Sequence, residues 1–177
     1  MIIKKIFLLA LISLPVIVNA QENEKKLKSI SNTVFVGMTN PEFISLNFER
    51  RIASLDKSSL VFRAGIEHSF PQKYGGNYKW FGIPLGASLI FGNGKNHLEL
   101  GTNYCRRKVY SQNPSYPSSD SKETEFQLNA GYRFQKLNQK GLNGRLGMGP
   151  SWYSSPADDY SYQETSIALY FSLGYSF

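Results

Sequence analysis

The sequence predicts an all-β fold: eight antiparallel strands running up and down, closed into a transmembrane barrel with a filled polar interior. Three observations carry this. The last residues, 167–177, alternate strictly, with Ile167, Leu169, Phe171, Leu173, Tyr175 and Phe177 on one face and Ala168, Tyr170, Ser172, Gly174 and Ser176 on the other, which is the period of a strand. At about 3.3 Å per residue this strand reaches about 33 Å, and tilted by about 40° it covers about 25 Å, the height of the apolar band on a membrane barrel. Earlier segments share the alternation, and the links between them are short on one rim and longer on the other.

The first segment, 31–38, sets Val34, Val36 and Met38 on one face and ends at a short Asn40-Pro41 turn. The second, 43–52, alternates Ile44, Leu46 and Phe48 with Ser45, Asn47 and Glu49, and Leu55-Asp56-Lys57-Ser58 turns the chain. The third, 60–69, sets Leu60, Phe62, Ala64 and Ile66 against Val61, Arg63, Gly65 and Glu67. A Gly- and Tyr-rich loop, 70–79, follows. The fourth, 80–91, carries Phe81, Ile83, Leu85, Ala87, Leu89 and Phe91 on one face. Pro84 lies within it and lacks a ladder N–H, so a bulge or broken pairing is expected there. Asn93-Gly94 reads as a two-residue type I′ hairpin. That turn pairs Gly92 with Lys95, Leu89 with Leu98, Ala87 with Leu100, Leu85 with Thr102 and Ile83 with Tyr104.

The fifth segment, 97–108, has Glu99, Gly101, Asn103 and Cys105 on its second face, and a Ser/Pro-rich loop, 109–122, follows. The sixth, 123–136, sets Phe126, Leu128, Ala130, Tyr132 and Phe134 against Gln127, Asn129, Gly131 and Arg133. The seventh, 142–152, sets Leu146, Met148 and Trp152 against Arg145, Gly147, Gly149 and Ser151, with Gly144 opposite Phe134 and covered by its ring. Loop 153–164 leads to the last strand. Short turns on one rim and long loops on the other fit an even-stranded barrel, and eight strands leave an interior that side chains fill. The link after the first segment departs from the rule by being short.

The start of the chain has another character. Lys4 and Lys5 precede an apolar run, 6–18, and then Val18-Asn19-Ala20. This is the pattern of a secretory signal peptide cleaved between Ala20 and Gln21. The run is short for a membrane span. A polar leader, 21–29, would then precede a barrel domain, 30–177. No Cys stands near the cleavage site, so no lipoprotein anchor is expected. The formal net charge is +7, of which two leave with the signal. It forms no basic stripe with interleaved aromatics, so nucleic acid is not the expected partner. Cys105 is the single cysteine and reads as a small buried filler. No metal spacing, phosphate loop or nucleotide motif is present, and no cofactor is expected.

Ile83-Pro84-Leu85-Gly86, Phe91-Gly92-Asn93-Gly94-Lys95 and His97-Leu98-Glu99-Leu100-Gly101 resemble the motifs of the small eight-stranded bacterial outer-membrane barrels of the type common in Bacteroidota. The resemblance covers the mature chain in pattern, and 81–104 and the terminus in motif. It implies the fold and the outer membrane as the compartment, and no particular activity. Phe171, Leu173, Tyr175 and the terminal Phe177 resemble the insertion signal of such barrels, which implies the barrel-assembly machinery as a partner alongside outer-membrane lipid.

The second face of every strand is rich in Gly, Ser, Asn and Gln with charges of both signs, which suits a filled lumen better than a solvated wall. Turns centred near Asp56 and Gln139 place Glu49 opposite Arg63 and Arg133 opposite Arg145. Facing arginines in a low-dielectric interior need a carboxylate, and Glu99 falls at a similar depth. An interior cluster of Glu49, Arg63, Glu99, Arg133 and Arg145 is therefore expected, as a plug and register device. Aromatic girdles are expected from Trp80, Phe81, Tyr110, Trp152 and Tyr153 on the loop side and from Phe91, Phe134, Tyr175 and Phe177 on the turn side.

The preferred function is a non-catalytic structural or surface-interaction barrel whose loops, 70–79, 109–122 and 153–164, meet surface ligands. A lipid A deacylase-like enzyme would need a nucleophile, base and orienting carboxylate. His68 stands near the loop rim, but Glu67 and Ser69 alternate to the opposite face. His97 lies at the turn rim, facing the lumen, away from outer-leaflet lipid. A pore is disfavoured by the strand number. A secreted lipocalin-like carrier would turn Leu85, Leu100 and Leu169 toward the axis.

Overall fold

The computed structural model describes residues 32–40, 42–54, 57–70, 78–92, 94–111, 121–136, 139–156 and 161–177. The expected cleavage site Ala20/Gln21 and the leader 21–29 lie outside them. The strands are β1 (Asn32–Thr39), β2 (Phe43–Ser54), β3 (Ser58–Ser69), β4 (Tyr78–Phe91), β5 (Asn96–Ser111), β6 (Ser121–Phe134), β7 (Gly141–Pro156) and β8 (Ser161–Ser176). Each pairs antiparallel with its chain neighbours, and β1 pairs with β8 to close an eight-stranded up-and-down barrel. Closure leaves no sheet edge unpaired. At the seam, Asn32 and Phe177 exchange backbone hydrogen bonds of 3.1 and 2.9 Å.

β1 is the shortest strand, and Asn40 extends its ladder. Asn40 adopts φ +49°, a conformation Asn tolerates. Its backbone N–H donates to the Leu169 carbonyl at 2.8 Å. Its side-chain Oδ1 accepts from the Leu169 N–H at 2.9 Å.

The two faces separate as the alternation predicts. Val34, Leu46, Phe62, Leu85, Leu100, Leu128, Leu146 and Leu169 face outward, and Asn47, Glu49, Glu67, Glu99, Gln127, Arg133, Arg145 and Ser172 are buried inside. Leu85, Leu100 and Leu169 are 50, 43 and 53% exposed, so the carrier arrangement, with apolar side chains lining the axis, is not the one adopted.

Several local expectations are corrected. The register expected from a two-residue turn at Asn93-Gly94 is not the one adopted, and Asn93 lies outside the described residues. Phe91 pairs Leu98, Leu89 pairs Leu100, Ala87 pairs Thr102 and Leu85 pairs Tyr104, two residues from the expected register. Gly92, at φ +115°, gives its N–H to the Lys57 carbonyl of the neighbouring turn at 3.0 Å. The β4–β5 ladder accordingly begins at Phe91 and Leu98. A shift of two preserves both faces, whereas a shift of one would invert them.

At Pro84 the pairing is locally broken, one of the two outcomes expected, with no bulge: Ala64 pairs Leu85 and Glu67 pairs Gly82, with no pairs between and the register unchanged. The one register shift between β2 and β3 falls at Arg51/Ala53, and upstream of it Glu49 pairs Arg63. Gly144 does pair Phe134. A Cβ there would meet Leu173 Cδ2 at 3.6 Å and no ring atom within 4 Å, so the ring does not cover the glycine.

Loop-side strand ends run further than expected. Residues 78–79, 109–111, 121–122, 153–156 and 161–164 belong to strands, so the expected loops 70–79, 109–122 and 153–164 are shorter than their composition suggests.

Candidate functional site

The lumen is the place where chemistry-bearing side chains converge, and its charges fall into two groups at different depths. The group nearer the turn rim is built on β2, β5, β6 and β7. Arg133 and Arg145 are paired across β6–β7, so their guanidiniums enter the lumen side by side. Glu99, fully buried, lies between them: Arg133 Nε donates to Glu99 Oε2 at 2.8 Å and Arg145 Nε donates to the same oxygen at 2.9 Å. Arg145 Nη2 donates to Glu99 Oε1. Arg133 also donates two bonds to Glu49, Nη1 to Oε1 at 2.6 Å and Nη2 to Oε2 at 2.7 Å. Two carboxylates thus meet two guanidiniums, with most of their hydrogen-bonding capacity satisfied, as charges held away from water require.

Arg63 lies apart from this set, although it pairs Glu49 in the ladder. Its guanidinium stands 5.9 Å from the Phe35 ring and close to Gly86, whose missing Cβ leaves it room. No carboxylate forms an ion pair with it among the described residues. The five residues expected together therefore become four in contact and one neighbour.

Below this group a neutral network lies toward the turn end. Gln135 accepts from Arg133 at 2.9 Å and donates to Ser176 at 2.7 Å, and Ser176 also shares a 3.0 Å bond with Thr33 and accepts from Asn143 at 3.2 Å. His97 sits inside with Nε2 2.8 Å from the Gln135 carbonyl and Nδ1 3.2 Å from that of Gly92. Its lumen-facing position agrees with the sequence reading.

A second ionic group, nearer the loop rim, is one that sequence reasoning did not assemble. Arg107 donates from Nε to Glu67 at 2.7 Å and from Nη2 to Glu125, which also accepts from Ser151. The Arg107 guanidinium stacks 4.2 Å from the Phe43 ring and lies 5.8 Å from that of Tyr153. Phe43 in turn meets Trp80 edge-on at 6.2 Å. Trp80 and Tyr153, expected in the loop-side girdle, thus serve the lumen side, while Phe81, Tyr110 and Trp152 face outward.

Gly82 makes the contact possible. It pairs Glu67 on one side and Arg107 on the other, so Glu67 and Arg107 meet across a position with no side chain. A Cβ at Gly82 would lie 2.8 Å from the sulfur of buried Cys105 and 3.0 Å from Arg107 Cγ. Gly82→Ala is therefore expected to destabilise the barrel by about 1–3 kcal/mol, the cost of overpacking. Cys105→Ala in the same chain should recover part of the loss, and urea unfolding of both variants in detergent checks this.

Between the two groups lies a cavity of about 40 Å³ lined by Arg63, Asn103, Gln127, Asn129, Tyr170 and Ser172, among others. Among the described residues, the Asn103 and Asn129 Oδ1, Gln127 Nε2, Tyr170 hydroxyl and Ser172 Oγ have no hydrogen-bond partner. A polar space of this size suits a few water molecules. Among the described residues no group of His, Cys, Asp and Glu is arranged to hold a metal ion.

His68 faces outward, with Nδ1 2.5 Å from the Ser69 carbonyl, whereas Glu67 and Ser69 are buried in the lumen. No register shift occurs at this position in either ladder, so the three side chains remain on opposite sides of the wall.

No family model and no curated protein matches the chain. Among solved structures it is similar to the N-terminal β-barrel domain of Pseudomonas aeruginosa OprF, with a TM-score of 0.54 and 10% identity over 85% of this chain and 98% of that one. The fold is that of a small outer-membrane barrel. Neisserial surface protein A matches with a TM-score of 0.49 and 8% identity over 83% of this chain and 92% of that one. A major outer membrane protein from Thermus thermophilus matches with a TM-score of 0.49 and 12% identity over 84% of this chain and 99% of that one.

Proposed function

We propose that the protein is an integral outer-membrane β-barrel of structural or surface-interaction type, non-catalytic, with a lumen closed by its ionic groups. The observation that carries this reading is the inversion of ordinary burial: Leu, Ile and Phe side chains cover the outside while Glu and Arg fill the inside. An apolar surface that circles the whole molecule marks contact with a membrane. Aromatic side chains at both ends of that surface, Phe81, Tyr110 and Trp152 against Phe134, Tyr175 and Phe177, fit the two interfaces of a bilayer.

On this reading residues 1–20 direct export and are cleaved between Ala20 and Gln21, leaving the leader 21–29. Phe171, Leu173, Tyr175 and Phe177, which all point outward, address the C-terminal strand to the barrel-assembly machinery. Surface ligands meet the loops within 70–79, 109–122 and 153–164.

The two salt-bridged groups and the neutral network at the turn end lie in series along the axis, which supports a closed lumen. Purified barrel in planar bilayers is expected to show no steady conductance, and a stable open level would overturn the closed lumen. Heat-modifiable mobility in detergent extracts tests the membrane barrel itself, and a chain that stays in aqueous solution without detergent would defeat it. The separation of His68 from Glu67 and Ser69 supports the non-catalytic reading. His68→Ala should leave lipid A acylation in the cell envelope unchanged, and an altered acylation pattern would restore the hydrolase.

A further inference from the structure

The charges that alternation sets on the outward face of the strands are all cationic among the described residues, and most gather in one sector. Arg50 stands near the turn rim. Lys79, Arg106, Lys108 and Lys122 stand together near the loop rim on β4, β5 and β6. Alternation assigns the nearby strand carboxylates Glu123 and Glu164 to the lumen-side set, with Glu125 and Ala168.

Lys108 and Lys122 are directly opposed across β5–β6, a placement in which like charges repel. Arg106 lies one outward position further along β5, opposite Thr124. Immediately toward the middle of the wall runs a row of paired residues, Leu85, Tyr104, Phe126 and Trp152. The Phe126 and Trp152 rings stack at 5.8 Å and 27°. A groove of about 300 Å³ adjoins this row and is lined by Tyr104, Phe126, Trp152, Thr124, Ser154 and Gln163, with Glu125 and Glu164, carboxylates of the alternate face, also on its lining.

Three chemistries therefore adjoin on one patch: cations at the rim, hydroxyl and amide groups against flat aromatic faces, and an apolar wall running inward. We propose that this patch binds the phosphorylated sugar headgroup of an outer-leaflet glycolipid. The phosphate lies between Arg106, Lys108 and Lys122 and converts their repulsion into charge-assisted hydrogen bonds. The sugar ring lies in the groove against Tyr104, Phe126 and Trp152, with Thr124, Ser154 and Gln163 meeting its hydroxyls. The acyl chains follow the outward leucines. A phospholipid supplies the phosphate and the chains but nothing for the hydroxyl-lined groove, which is why a glycolipid is the better occupant.

This inference rests on the outer-membrane reading, and the experiment separates the two. Purified full-length barrel in detergent is incubated with bisphosphorylated lipid A, dephosphorylated lipid A or phosphatidylglycerol, and retained lipid is read by native mass spectrometry. Bisphosphorylated lipid A is expected to be retained about tenfold or more over the other two, from the contribution of basic side chains at a membrane surface. The double variant Lys108→Gln/Lys122→Gln should lose that preference while keeping heat-modifiable mobility. Equal retention of the dephosphorylated lipid, equal retention of phosphatidylglycerol, or an undiminished preference in the double variant would each overturn the inference and leave the membrane barrel standing. A wild-type chain without heat-modifiable mobility would instead remove the membrane reading on which it rests.

Discussion

Glu99→Gln is expected to destabilise the barrel by about 3–5 kcal/mol, the usual cost of removing one partner from a buried charge network. Glu99 is fully buried and accepts from both Arg133 and Arg145. The two arginines are direct cross-strand partners, so they cannot move apart without breaking the wall. Glutamine keeps the shape but not the charge, and Glu49 is left as the carboxylate for both. Glu49 already engages Arg133 at 2.6 Å and stands 3.8 Å from Arg145. Urea unfolding in phospholipid vesicles measures the change, and a wild-type midpoint in the variant would show that Glu99 does not neutralise the pair. Arg63→Met is the matched control. Arg63 forms no ion pair among the described residues, so its replacement should be neutral or stabilising, because it removes a desolvated cation without stranding an ion-pair partner.

The contrast between Arg133 and Arg107 shows how much of this interior the sequence holds. Arg133 and Arg145 sit on strands whose turn near Gln139 fixes the register, so their pairing can be worked out on paper, whereas Glu49 meets Arg63 only upstream of the Arg51/Ala53 register shift, which a turn centred near Asp56 does not foresee. Arg107 shares a face with Glu99 and Cys105, and that much follows from alternation. Its partner does not. With Leu85 placed opposite Thr102, Arg107 stands opposite Trp80. With Leu85 opposite Tyr104, as observed, it stands opposite Gly82 and so reaches Glu67. The observed register goes with a hydrogen bond from Gly92 to the Lys57 carbonyl of the neighbouring turn, a tertiary contact that no dipeptide preference encodes. The loop-side strand ends were hidden for a related reason. Tyr153 and Ser154 are in a Ser/Pro/Tyr-rich stretch that reads as loop, but their backbone groups pair with Glu164 and Gln163 on β8, and a ladder extends wherever both neighbours offer partners. The faces of the strand centres, by contrast, were legible, because a register error of two residues leaves inside and outside unchanged; Trp80 and Tyr153, at strand ends, were not.

Leu85→Arg and Leu98→Arg should differ, and the difference decides what solvent surrounds the barrel. The two leucines are almost equally exposed, 50 and 53%, and both point outward. They differ in depth. Leu85 is central in β4, between Phe81 and Phe91, whereas Leu98 lies beside the turn end of β5, paired with Phe91 and Tyr132. In water, equal exposure predicts two small and similar effects, within about 0.5 kcal/mol for surface substitutions away from special features. In a bilayer the cost of arginine follows depth, about 2–4 kcal/mol at the midplane and about 0–1 kcal/mol near an interface. Leu85→Arg is therefore expected to lower stability in phospholipid vesicles by about 2–4 kcal/mol, with Leu98→Arg within about 1 kcal/mol of wild type. Equal losses at both positions would contradict a hydrocarbon surrounding, because only a medium that changes polarity along the barrel axis can distinguish two side chains that the fold exposes alike.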